Sequence, residues 1–253
     1  MSVGITVTTT IGLGDAVQFT SIPENYFRHT GEKIVDTQSH WVFDFNPYVE
    51  RNVDKVDKEI NLWNAQSFDI PTNHNDRTVM LSNAEAHSRH FNYPIVLNRP
   101  RLYRFEDYLY FDRDLIILHT RGRSHGQLPE HIVKHVLKKY GMANVKWLAA
   151  PGEEWSYGFV VPEKVQYKNL WEMVEKISQC AMFIGPDSGP SWVAQCYPDV
   201  ITKKVRLIPS VEALKNWVPL EWCRLGSYWD DRSAFIYNPS EDDAGFTWSY
   251  KRI

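Results

Sequence analysis

The string Gly12-Leu13-Gly14-Asp15 stands between a β-branched, apolar run, Gly4 to Thr10, and a segment, Ala16 to Phe27, that carries Val17, Phe19, Ile22 and Tyr26 at helical spacing. Glycines at a strand-to-helix turn let a ligand approach the backbone, and the free N–H groups at a helix start favour an anion. Two readings of the turn are open. As a dinucleotide fingerprint it has Gly12 and Gly14 in register and Asp36 about 20 residues further on, at the end of the next strand. Val17 then replaces the third glycine, and Asp15 would repel a pyrophosphate seated on the helix. Alternatively Asp15 caps the helix by accepting a backbone N–H of the first turn. Pro23 falls inside the same expected helix, where it would remove one backbone hydrogen bond and bend the chain at a cost of roughly 3 kcal/mol.

A second glycine turn, Gly185-Pro186-Asp187-Ser188-Gly189-Pro190, follows the apolar run Ala181 to Ile184, and helical spacing resumes at Ser191 to Gln195. Pro190 near the first helical position, with Ser188 or Asp187 as cap, suits a helix start aimed at phosphate. Upstream, His119 to His125 follows the strand Leu115 to Leu118 and places the guanidiniums of Arg121 and Arg123 and the hydroxyls of Thr120 and Ser124 on one loop. Arginine forks match phosphate oxygens in pairs, so two such loops on neighbouring strand ends point to a diphosphate site. Other signals are weaker. Asp112 and Asp114 flank one residue and could share a hard cation, but they precede their strand. His131 and His135 are four apart on a helix without an acidic base between them, which suits a solvated flank. His87 and His90 read as surface loop.

The elements that must position these turns alternate. A strand, a helix and a short strand at Lys33 to Val35 are followed by an irregular stretch from Phe43 to Asn98 rich in Asn, Asp, His and Pro. After Glu106 the pattern restarts with a strand at 115–118, a helix from Pro129 to Tyr140, a strand at Val145 to Ala149, a helix at Tyr167 to Gln179, the strand at 181–184 and another at Val205 to Ile208. The expectation is an α/β protein of two Rossmann-like parallel-sheet lobes facing a cleft, residues 1–111 and 112–235, with a tail at 236–253 packing back on the first.

Across 253 residues, 28 Lys and Arg against 31 Asp and Glu leave a formal charge of −3, which disfavours a protein that coats nucleic acid. Cys180, Cys196 and Cys223 form an odd, widely spaced set with no CxxC pair, against a disulfide framework or a structural zinc site. There is no signal-peptide pattern and no apolar run of the roughly 18 residues a membrane span needs. A cytoplasmic protein is expected.

Together the two glycine strings resemble those of the family-9 glycosyltransferases, the bacterial heptosyltransferase group. Gly14-Asp15 with Thr20 and Pro23 matches the opening of that family's first helix, and Gly185, Asp187, Ser188, Gly189 and Ala194 match most of its donor-site string. Trp192 stands where the family has histidine. The resemblance implies a GT-B fold and an inverting, metal-independent transfer from a nucleotide sugar, with no further cofactor. Asp15 would be the base that deprotonates the acceptor hydroxyl. Thr120, Arg121, Arg123, Ser124, Gly185, Asp187, Ser188, Gly189 and Trp192 would line the donor, with the arginines, Ser188 and Gly189 offsetting charge on the leaving diphosphate. The implied acceptor is a surface glycan such as lipopolysaccharide core or capsule, with a modified DNA base as a second possibility. Two other classes stay open: an NAD(P)-dependent oxidoreductase using the Gly12 turn and Asp36, and a non-catalytic nucleotide-binding module.

Overall fold

A computed structural model describes residues 2–7, 12–51, 53, 55–61, 100–104, 112–122, 126–186, 188–196, 204–207 and 234–236, without the side chains of 15, 18, 195, 204–207 and 234–236. The chain divides into two compact units, the main segment of the first being Met1–Glu106 and that of the second Asp107–Leu220 with Asp230–Arg252. Arg123, Ser124, Asp187, His87, His90 and the expected tail beyond Ile236 lie outside the described residues.

In the first unit, β1 (Val3–Thr6) leads to α1 (Leu13–Gln18), a 3-10 turn (Phe19–Ser21), α2 (Ile22–Thr30) and β2 (Ile34–Asp36). A second 3-10 turn (Trp41–Phe43), β3 (Val49–Glu50) and β4 (Lys58–Asn61) complete it. The strands are parallel in the order β3-β2-β1-β4. All four residues of β1 are buried, as expected of a parallel strand covered on both faces. Gly4 is required at its centre: a Cβ there would lie 2.9 Å from both Thr37 Cγ2 and Val56 Cγ2.

The single helix expected from Ala16 to Phe27 is instead two. Pro23 sits in the first turn of α2, where no intrahelical N–H is needed, so it starts a helix and bends none. The Thr20 hydroxyl donates to the Val17 carbonyl at 2.6 Å and accepts the Arg101 N–H at 2.8 Å. Thr20 and Pro23 thus shape the elbow between α1 and α2, and Thr20 ties the 100–104 segment to it.

In the second unit the order along the chain is β5 (Asp112–Leu118), β6 (Arg121–Gly122), β7 (Gly126–Gln127), α3 (Glu130–Tyr140), β8 (Val145–Ala149), β9 (Glu163–Gln166), α4 (Leu170–Ser178), β10 (Cys180–Gly185), α5 (Gly189–Gln195), β11 (Lys204–Leu207) and β12 (Ala234–Ile236). Six strands form a parallel sheet in the order β12-β11-β10-β5-β8-β9. α3 buries Ile132, Val133, Val136 and Leu137 against Ile116, Leu118, Val145 and Ile184. The Asn169 side chain caps α4 by accepting the Glu172 N–H at 2.9 Å. The polar loop expected at 119–127 contains an antiparallel ribbon in which Arg121 pairs with Gln127 and Gly122 with Gly126.

Candidate functional site

In both sheets the chain reverses the direction in which it adds strands. In the second unit β8 and β9 lie on one side of β5, and β10 returns to the other side; in the first, β2 and β3 lie on one side of β1 and β4 on the other. Connections leaving the carboxyl ends of two adjacent strands in opposite directions open a crevice there, the usual ligand position in parallel sheets. The Gly12 turn follows β1, and the Gly185 turn and the His119 loop follow the adjacent pair β10 and β5.

At the second crevice the structure sets His119 against Gly185 and Ser188, with Thr120 and Arg121 next along the chain from His119 and Gly189 opening α5. His119 directly follows β5, and its backbone N–H donates to the Ile184 carbonyl at 2.8 Å. Its Nδ1 lies 3.3 Å from Ser188 Oγ, on the far side of the Gly185 turn. Gly185 permits this approach, since a Cβ would lie 3.0 Å from the His119 carbonyl oxygen and 3.2 Å from His119 Cβ. Ser188 precedes the first turn of α5, and its N–H donates to Ser191 Oγ at 3.0 Å. Thr120 is buried; its hydroxyl accepts the Trp147 indole N–H at 3.2 Å and its carbonyl accepts the Leu128 N–H at 2.8 Å. Arg121 is exposed on the ribbon, its guanidinium available to an anion. Trp192 is 3% exposed, so its ring packs into the unit.

His119 is the residue that sequence reasoning passed over. Its signal was a polar, titratable side chain set immediately after a buried apolar strand. Burial pushes its imidazole from the ordinary 6.5 down to about 4. Between those values the unfolded chain takes up a proton that the folded chain does not, so stability rises with pH across that window. We expect the wild type to lose about 2 kcal/mol of unfolding free energy between pH 7.5 and 5 through this group. His40, also held down by burial, adds loss of the same sign. Urea denaturation of wild type and His119→Asn at the two pH values measures the share: the variant's dependence should be flatter, and equal slopes would contradict the assignment.

In the first unit Gly12 precedes α1 with φ −65° and ψ 148°, a conformation open to any residue, and its carbonyl accepts the Ala16 N–H at 3.0 Å. Gly14 and Asp15 lie in the first turn of α1; the Asp15 side chain is outside what the structure describes. Asp36, the ribose ligand of the dinucleotide reading, is 2% exposed. Its carboxylate accepts the Gln38 N–H at 3.2 Å and lies 3.4 Å from Arg51 Nη2. That commitment to its own unit leaves the dinucleotide reading without its acidic residue. Asp112 sits at the amino end of β5, where Oδ1 accepts the N–H groups of Asp114 and Leu115 at 3.0 and 3.1 Å, closing a turn at the end of the sheet opposite the crevice. His131 is exposed on α3 and His135 half-buried. Among the described residues no helix is long and apolar enough to cross a membrane.

No protein-family model and no curated protein matches the sequence. Solved structures do match. A family-9 glycosyltransferase from Veillonella parvula superposes with a TM-score of 0.58 at 13% identity, over 97% of this chain and 92% of that one. The dodecameric, iron-containing glycosyltransferase TibC from enterotoxigenic E. coli gives 0.54 at 18% identity over 82% of this chain, which spans only 58% of the length of TibC. The E. coli heptosyltransferase WaaC, solved with ADP, gives 0.52 at 13% identity over 82% of this chain and 87% of that one. With both sheets parallel and both reversing at a glycine turn, the chain has the GT-B-type α/β fold of the heptosyltransferase group.

Proposed function

We propose that the protein is a glycosyltransferase that moves a sugar from a nucleoside-diphosphate donor to a hydroxyl of an acceptor glycan, inverting the anomeric centre without a metal. The observation that carries this reading is the meeting of two loops at one topological switch point, where His119, two residues before the exposed Arg121, lies against Ser188, in a fold whose solved relatives include one bound to ADP-heptose. Those groups suit a diphosphate: the guanidinium and hydroxyl donate to its oxygens, and they gain most as the sugar–oxygen bond breaks and charge collects there. Arg123, Ser124 and Asp187 are assigned to the same site from the sequence pattern.

The first unit supplies the acceptor side. Asp15, at the start of α1, takes the proton of the acceptor hydroxyl as its oxygen attacks the anomeric carbon; the bond to the donor phosphate breaks, and the electron pair leaves with the nucleoside diphosphate. A surface polysaccharide such as lipopolysaccharide core or capsule is the acceptor class that fits this reading, and the reaction belongs in the cytoplasm, where nucleotide sugars are the donors.

A thermal-shift panel of ADP-, UDP-, GDP- and CMP-sugars with NAD(H) and NADP(H), run on wild type and Arg121→Ala, tests the assignment. A ligand at a hundred times its Kd stabilises by about 2.7 kcal/mol. We expect one nucleotide sugar to raise the wild-type Tm and to lose most of that effect in the variant. A shift with a nicotinamide cofactor alone would overturn the transferase reading.

A further inference from the structure

We propose that His119 is a positioning residue of this site: its Nδ1–H donates to Ser188 Oγ and thereby turns the Ser188 hydroxyl proton toward the diphosphate oxygens of the donor. The inference rests on the reading of the second crevice as a diphosphate site. A serine hydroxyl has one proton and rotates freely, so whether it meets an anion with that proton or with a lone pair depends on what else it touches. Here it touches two groups: the Ser191 backbone N–H, which it accepts in a capping box at the start of α5, and His119 Nδ1 at 3.3 Å. The geometry is held from several directions. The His119 backbone is hydrogen-bonded to Ile184 on β10, the next residue is bound to Leu128 and Trp147, and the ring is buried near Phe183. Ser188 is fixed in turn through Ser191, whose hydroxyl accepts the Ser188 N–H and donates to the Ser188 carbonyl at 2.7 Å.

A neutral imidazole carries one proton, and the two tautomers have opposite consequences. With the proton on Nε2, Nδ1 is an acceptor that captures the Ser188 proton, and the hydroxyl offers only lone pairs to an anion. With the proton on Nδ1, the imidazole donates and Ser188 is left as a committed donor. Burial keeps the ring neutral at ordinary pH, so this choice is not blurred by an imidazolium that would donate from both nitrogens.

The test has two arms. In the first, calorimetry measures binding of the nucleoside diphosphate that wild type selects among ADP, UDP, GDP and CDP. Ser188→Ala is expected to weaken it by about 10-fold, the scale of one hydrogen bond to a charged group. His119→Leu should cost a similar factor, and the double variant no more than either single change. His119→Asn, whose amide N–H can stand in for Nδ1–H, should stay within about threefold of wild type, a rescue that a merely structural role would not produce. Losses that multiply in the double variant, or an asparagine as weak as leucine, would overturn the proposal. In the second arm, which needs no variant, nitrogen NMR of 15N-histidine protein with the diphosphate bound reads the tautomer directly. An Nδ1–H signal for His119 is expected, and an Nε2–H signal overturns it. A wild type that binds none of the four diphosphates would remove the transferase reading itself, and this inference with it.

Discussion

Exchanging Asp15 for asparagine is expected to lower kcat by about 10²–10⁴-fold, the usual contribution of a general base, while donor affinity changes little. The choice of asparagine separates the two tasks open to a carboxylate in the first turn of α1, where Gly12 and not Asp15 holds the cap position. From inside that turn the negative charge favours the helix dipole by about 0.3–1 kcal/mol. That role alone would leave Asp15→Asn fully active and cost it only this small share of stability. A base predicts more: Asp15→Asn folds with a urea midpoint near that of the wild type and binds nucleotide, yet fails to transfer. Single-turnover transfer alongside denaturation decides between them, and a variant with wild-type kcat would end the assignment.

Removing Glu24 should have the largest effect on stability. Its side chain is fully buried in α2 and accepts from the Tyr103 hydroxyl at 2.6 Å, from Arg101 Nη1 at 3.1 Å and from Arg28. Burial alone would push its carboxyl up, but the Tyr103 hydroxyl and the two guanidiniums outweigh burial and hold it below the ordinary 4.5. The Tyr103 phenol is pushed up by its own burial and by donating to that carboxylate. Taking one partner from a buried charged pair leaves the others unmatched and costs about 3–5 kcal/mol; we expect Glu24→Ala near the lower figure, since both guanidiniums reach solvent. Glu24→Gln, which keeps the shape and one acceptor oxygen, should lose less. Because the folded carboxyl is depressed, its contribution is present above 4.5 and fades as pH falls through the folded value, below most of the window in which His119 acts. Urea unfolding of both variants at pH 7.5 measures this, and a loss under about 1 kcal/mol for Glu24→Ala would show that the cluster contributes little.

The strands that the sequence made visible are those buried on both faces. Ile116 to Leu118, Trp147 to Ala149 and Phe183 to Ile184 are continuous apolar runs because helices cover a parallel sheet on either side. β9, Glu163–Gln166, escaped for the opposite reason: it is an edge strand, three of its four residues are exposed, and its charges suit an edge that must not recruit another chain. The break between α1 and α2 was hidden because Val17, Phe19, Ile22 and Tyr26 keep one buried face through the 3-10 turn, so periodicity alone joins what Pro23 divides. At the site, the glycines and Arg121 announce themselves by type and spacing. His119 and Ser188 do not, since 69 residues separate them and only the adjacency of β5 and β10 makes them neighbours. Glu24, Arg101 and Tyr103 are hidden in the same way, and the polar residues of an amphipathic helix give no sign of which one will be enclosed.

The tie between α2 and the 100–104 segment also bears on the birth of the protein. Glu24 meets Arg101 across 77 residues and Tyr103 across 79. Closing so long a loop adds little to its entropic cost but delays the contact, since the chain leaves the ribosome at about 5–20 residues per second. For several seconds the nascent first unit therefore holds α2 with its carboxylate unmatched, and the surface destined for burial around Glu24 must stay wet. The first unit consequently completes this cluster only once residues 100–104, near the end of its own main segment, have been synthesised.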